Sequence, residues 1–62
     1  MLKNLKQIRI SKGLSLRQLS NMTNISKTYL NDLENLNRNN PSYIKMRILT
    51  DKLEVSEKQL EG

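Results

Sequence analysis

Two short helical patterns lie only a few residues apart between Ser15 and Glu34, and each opens on its own capping residue. Ser15 begins the first, with Gln18 three residues later completing a capping box. Leu16, Leu19 and Met22 follow at helical spacing. Ser26 opens the second pattern, in which Tyr29, Leu30 and Leu33 share one face. Asn24 occupies the turn between them, where positive φ is needed and Asn is the usual substitute for Gly. Helices this short, joined this tightly, read as a helix-turn-helix. The remainder of the chain has to supply the core against which the pair packs.

That remainder is helical as well. Leu2, Leu5 and Ile8 form the buried stripe of a first helix that Gly13 ends, with Ile10 off the stripe and Leu14 leading into the core. The stretch from Asn35 to Pro41 is too polar and Asn-rich to continue a helix and predicts a loop, with Leu36 tucked back onto the core. Asn40-Pro41-Ser42 signals a helix start, Pro being tolerated in the first turn. Tyr43, Met46, Leu49, Thr50 and Leu53 then make the stripe of a fourth helix. Val55 crosses over, and Ser56 with Gln59 forms a second capping box for a short fifth helix ending at Leu60. The expected fold class is all-α: one compact five-helix domain over residues 1–62, with helices near 2–12, 15–22, 26–34, 42–53 and 56–60.

Composition narrows what such a domain can do. A chain of 62 residues buries only ~60% of the surface its unfolded form exposes, so no sizeable enclosed pocket is expected. There is no Cys and no His, which excludes thiolate or imidazole metal sites, disulfides and a His general base. No cofactor, metal site or catalytic residue is expected, and the few carboxylates form no acid–base constellation, so the chain is not expected to be an enzyme. The longest apolar run is two residues, as in Ile48-Leu49, too short for a membrane span or signal peptide. The cytoplasm is the expected compartment. The net charge of +5 arises wholly in the first half: residues 1–30 carry Lys3, Lys6, Arg9, Lys12, Arg17 and Lys27 and no acid. A surface needs charge for solubility in any case, but an imbalance this one-sided favours a polyanionic partner.

The ordered set of residues resembles the lambda-repressor-like (Cro/CI, or XRE) helix-turn-helix family over nearly the whole chain. The match runs through Leu5, Ile8-Arg9, Lys12-Gly13-Leu14-Ser15, Leu19, Ile25-Ser26, Tyr29-Leu30, Leu33-Glu34, Asn40-Pro41-Ser42, Leu53 and Val55-Ser56. The opening Leu5-Lys6-Gln7 and the loop from Glu34 through Asn39 to Ser42 look most like SinR-type regulators. That likeness implies a repressor with a small antagonist protein as a further partner. It also implies an oligomerisation segment beyond the DNA-binding domain, which is not seen here, so at most weak pairing on DNA is expected. Four positions depart from the family pattern. Leu16 stands where a Gln usually touches the DNA backbone, and its role stays open. Asn24 replaces the turn Gly, and Glu54 replaces the Gly before Val55, predicting a less well capped fourth helix. Ser42 stands where some relatives insert an Arg into the minor groove, leaving Arg38 as the strong cation of that loop.

On a helix starting after Ser26, steps of about 100° put Lys27, Thr28, Asn31 and Asn35 opposite the apolar face, with Asp32 at the edge. A polar face of this kind is most often merely solvated; the resemblance makes it the face of a recognition helix. Lys27 suits guanine O6 or N7, Asn31 suits adenine N6 and N7, and Thr28 suits a base, a phosphate or the thymine methyl. Ser15, Arg17, Asn35 and Arg38 are candidates for phosphate contacts, which position the protein without reading sequence. Asp32 remains unassigned. The Tyr29 ring is expected in the core with its hydroxyl at the rim. The resemblance makes Arg9 and Glu34 an ion pair tying helix one to the end of the recognition helix.

The expected function is thus a sequence-specific regulator, with double-stranded DNA as its partner. The competing reading is an antitoxin-like protein-interaction module that touches DNA secondarily. Against it stands the scatter of apolar residues expected at the surface, Ile10, Leu16 and Ile48, which form no stripe.

Overall fold

The computed structural model describes residues 1–38 and 40–62; Asn39, within the expected polar loop, lies outside the described residues. Five helices follow one another: α1 (Leu5–Ser11), α2 (Leu16–Thr23), α3 (Lys27–Glu34), α4 (Tyr43–Leu53) and α5 (Glu57–Glu61). Among the described residues there is no strand, and no helix is long and apolar enough to cross a membrane. α2 packs against α3 and α4, α1 against α3 and α5, and α4 against α5. At the centre lie Leu2, Leu5, Leu19, Ile25, Leu30, Leu33, Met46, Leu49, Leu53 and Leu60. Every element contributes at least one of them, so no helix can leave without opening the core.

Local signals set most of the boundaries. The Ser15 hydroxyl accepts from the Gln18 N–H at 3.0 Å while the Ser15 N–H donates to Gln18 Oε1 at 2.7 Å. Ser56 and Gln59 repeat this at α5 (3.1 and 2.7 Å). Ser26 and Ser42 cap α3 and α4 through the amides of Tyr29 and Lys45. Each cap is worth ~1 kcal/mol over Ala.

The α2–α3 turn is held more firmly than its length suggests. Asn24 takes the left-handed conformation (φ 59°, ψ 25°). Ser20 Oγ donates to the Ile25 carbonyl at 2.6 Å, Thr23 Oγ1 donates to the Leu19 carbonyl at 2.8 Å, and the Ile25 N–H donates back to Thr23 Oγ1 at 3.2 Å. With Ile25 driven into the core, these bonds fix the direction in which α3 departs.

Several sequence expectations are corrected. α1 begins at Leu5, since Leu2 reaches the core from a turn and Asn4 ties to α5 by donating its N–H to the Leu60 carbonyl at 2.9 Å. Ile8 is half-buried and Arg9 takes the deeper place on α1, because a charged partner waits there. Met22 is 38% exposed and Thr23 is buried instead, its hydroxyl satisfied within the turn. Pro41 precedes the α4 cap rather than entering its first turn, and it is buried. Tyr43 is 73% exposed, with its hydroxyl against Arg47 Nη1 at 3.5 Å. As the first residue of α4 it lies past the end of the neighbouring helices' cover. Ile48, expected at the surface, is half-buried against the core.

Leu36 is also not tucked in. It has φ 60° and is 39% exposed. Its N–H donates to the Leu33 carbonyl and the Asn37 N–H to the Asp32 carbonyl (3.2 and 2.9 Å), the paired closure of a Schellman motif with Leu in the place of Gly. The left-handed backbone turns the side chain outward.

Glu54, expected to cap α4 poorly, nevertheless closes it. At φ 57° its backbone lets the Val55 N–H reach the Thr50 carbonyl at 3.1 Å. The cost is the ~1–2 kcal/mol of holding an L-residue in that region. Glu54→Gly is therefore expected to stabilise the domain by ~1 kcal/mol, after the greater freedom Gly gives the unfolded chain. Thermal unfolding should move up by roughly 4–8 °C; an unchanged or lower midpoint would show that Glu54 makes compensating contacts.

Candidate nucleic-acid interface

The outer face of α3 is made by default. Tyr29, Leu30 and Leu33 turn inward, and that leaves Lys27, Thr28 and Asn31 exposed on the other side. The three line one open depression of about 330 Å³, and the fourth residue lining it is Leu16, the first residue of α2. The start of α2 therefore stands directly beside the α3 face, with Ser15 and Arg17 flanking Leu16 in sequence. Arg17 is exposed, and neither of the two ion pairs among the described residues uses Arg17 or Lys27. Ser15 spends its N–H and an oxygen lone pair on the capping box, keeping its hydroxyl proton for an outside partner. Asn35 is exposed at the end of α3, its N–H donating to the Asn31 carbonyl at 2.9 Å.

Arg38 occupies a more particular place than a loop cation needs. Its Nε lies 3.7 Å from Asp32 Oδ2, and its guanidinium carbon stands 4.2 Å from the centre of the Tyr29 ring. Lys45 brings a second cation to the same ring, its Nζ at 5.0 Å. Tyr29 is half-buried rather than enclosed, and its π-face holds both cations close to α3. Asp32 is thus a partner for Arg38 at the edge of the outer face of α3. Lys45 was not a sequence candidate. Nothing in the periodicity of α4 marks it, and only the fold brings its Nζ within 5.0 Å of the Tyr29 ring.

A buried pair carries the position of α3. Arg9 Nε donates to Glu34 Oε2 at 2.6 Å and Nη2 to Oε1 at 3.1 Å, a two-pronged contact between α1 and the last residue of α3. Arg9 Nη1 donates to the Leu14 carbonyl at 2.8 Å, so the same side chain also holds the segment before α2. The side chains are 11% and 4% exposed. Hydrogen bonding to Glu34 and its charge raise the Arg9 pKa above its usual value, against the opposing effect of burial. A raised folded-state pKa means stability present below the unfolded value and lost only as pH climbs through the folded one. For an arginine that window is strongly alkaline, so Arg9 contributes no pH dependence near neutrality.

Compared with known families, the chain matches the helix-turn-helix family model over residues 5–60. Searches of curated proteins and of solved structures give no match.

Proposed function

Because this chain belongs to the Cro/CI/XRE-type helix-turn-helix family, we propose that it is a sequence-specific transcriptional regulator reading the major groove of double-stranded DNA with α3. One observation carries the reading. Lys27, Thr28 and Asn31 stand together and exposed on the face of α3 opposite the core, beside the first turn of α2. In this reading those three contact base edges. Ser15, Arg17, Asn35 and Arg38 contact phosphates, with Lys45 joining Arg38 across Tyr29. Repression follows if the bound site overlaps a promoter, as the resemblance to SinR-type regulators implies. A small antagonist protein is the further partner that the same resemblance brings. Two copies would pair weakly, on half-sites ~34–36 Å apart.

The test is duplex binding against salt. Each neutralised phosphate contributes roughly −0.9 to the slope of log affinity on log salt, so three or four cations at the backbone predict a slope near −3. A flat response, or no binding at low salt, sinks the proposal.

A second reading as a protein-interaction module draws on one specific feature. Tyr43 and Ile44 are 73% and 70% exposed side by side at the start of α4, an apolar pair where the sequence suggested only scattered residues. Replacing both with Ser leaves the salt-dependent curve unchanged if DNA is the partner of α3 alone.

A further inference from the structure

Leu16 is the apolar residue on a face otherwise built for a polar partner. One side of it packs against the core, and the other lines the depression shared with Lys27, Thr28 and Asn31. An isobutyl group offers phosphate nothing, since it can neither donate a hydrogen bond nor supply charge. In the major groove there is one apolar feature for it to meet, the C5-methyl of thymine, which the other three bases lack. On the reading that α3 docks there, we propose that Leu16 is a specificity-determining residue that packs against a thymine methyl beside the base pair read by Asn31.

The neighbours make the assignment coherent. Asn31 is suited to the N6 and N7 edge of adenine. In an A·T pair the thymine methyl lies on that same groove edge, and an adjacent A·T pair presents its own methyl next to it. Leu16 belongs to α2 rather than α3, so it approaches the groove from the side of the α3 residues and covers a different base position. Its half-burial fixes the side chain, which lowers the entropy lost when the methyl is covered. The consequence is a preference for thymine over cytosine at one position with no hydrogen bond behind it.

The test starts from a duplex selected by the wild-type protein from a random pool. Each thymine is then replaced singly by deoxyuridine, which removes the methyl and keeps every hydrogen-bonding group. One replacement should weaken wild-type binding about 4-fold, the effect of one buried methyl. Leu16→Ala should bind the thymine and deoxyuridine duplexes alike at that position, while Ile10→Ala, which trims an apolar side chain exposed on α1, should keep the wild-type preference. If Leu16→Ala loses its helical signal, Leu16→Gln, with similar reach and a polar end, replaces it in the comparison. A wild type indifferent to every replacement, yet still preferring the selected duplex over random DNA, overturns the role of Leu16 and leaves the DNA reading standing. A thymine preference at that position that survives in the Leu16 variant, or vanishes in Ile10→Ala, also overturns it. A wild type that holds all duplexes equally, or none, removes the DNA reading and this proposal together.

Discussion

Glu34→Ala should remove much of the domain's stability. The substitution strands the Arg9 guanidinium, whose side chain is 11% exposed, without the carboxylate it meets at 2.6 Å. Breaking a buried pair from one side costs ~3–5 kcal/mol. A domain of 62 residues has roughly 3–9 kcal/mol to lose at typical values per residue. Thermal unfolding followed by circular dichroism would show a midpoint lowered by well over 10 °C, or no transition at all. The matched removal, Arg9→Met with Glu34→Leu, should fare better than Glu34→Ala, because no charge is left stranded. It will not reach wild type, since the Leu14 carbonyl loses the hydrogen bond from Arg9 Nη1, a deficit of ~1–3 kcal/mol if that oxygen stays dry. If Glu34→Ala unfolds within a few degrees of wild type, water reaches Arg9 and the pair is not what fixes α3 against α1.

The second large effect separates base reading from anchoring. Asn31→Ala should cost ~1–3 kcal/mol on the preferred site and relax the choice at one base pair. Arg38→Ala should weaken all duplexes about equally, and the geometry gives two reasons for that. It removes a cation from the edge of the face, and it uncovers Asp32, whose carboxylate lies 3.7 Å from Arg38 Nε. The loss should therefore be partly recovered in Arg38→Ala with Asp32→Asn, and the salt slope should fall by roughly one unit in the single variant. The measurement is a matrix of these variants against the preferred site, its single-base variants and random duplex. Equal loss on every duplex for Asn31→Ala would reassign that residue to anchoring. An Asp32→Asn change that recovers nothing would show that the carboxylate does not face the phosphates.

Local chemistry was legible in the sequence wherever a few neighbouring residues decide the outcome. The capping boxes at Ser15 and Ser56, the cap at Ser26, the left-handed Asn24 and the five-helix order all follow from contacts within about four residues along the chain, and all are present. The placement of Lys27, Thr28 and Asn31 on one outer face is likewise a matter of helical period. Family membership over residues 5–60 agrees with the ordered motifs, because those residues are the caps, turns and core positions that specify this arrangement.

What periodicity could not decide was which side of each stripe the rest of the protein would cover. Tyr43 has the right spacing for the α4 stripe and is exposed, because it lies at the helix end beyond its neighbours' reach. Leu36 looks like a core residue and points outward, because the closure of α3 puts its backbone at φ 60°. Arg38 and Lys45 converge on Tyr29 from a loop and from α4, a meeting no pattern within either segment encodes. From sequence Leu16 could be described as a stripe residue of α2 and as a departure from a Gln position; its place beside Lys27, Thr28 and Asn31 depends on the angle between α2 and α3. That angle is set by Ile25 entering the core and by the hydrogen bonds of Ser20 and Thr23. Residues of one helix are ordered by the helix itself, while residues of different helices are brought together only by the packing between them.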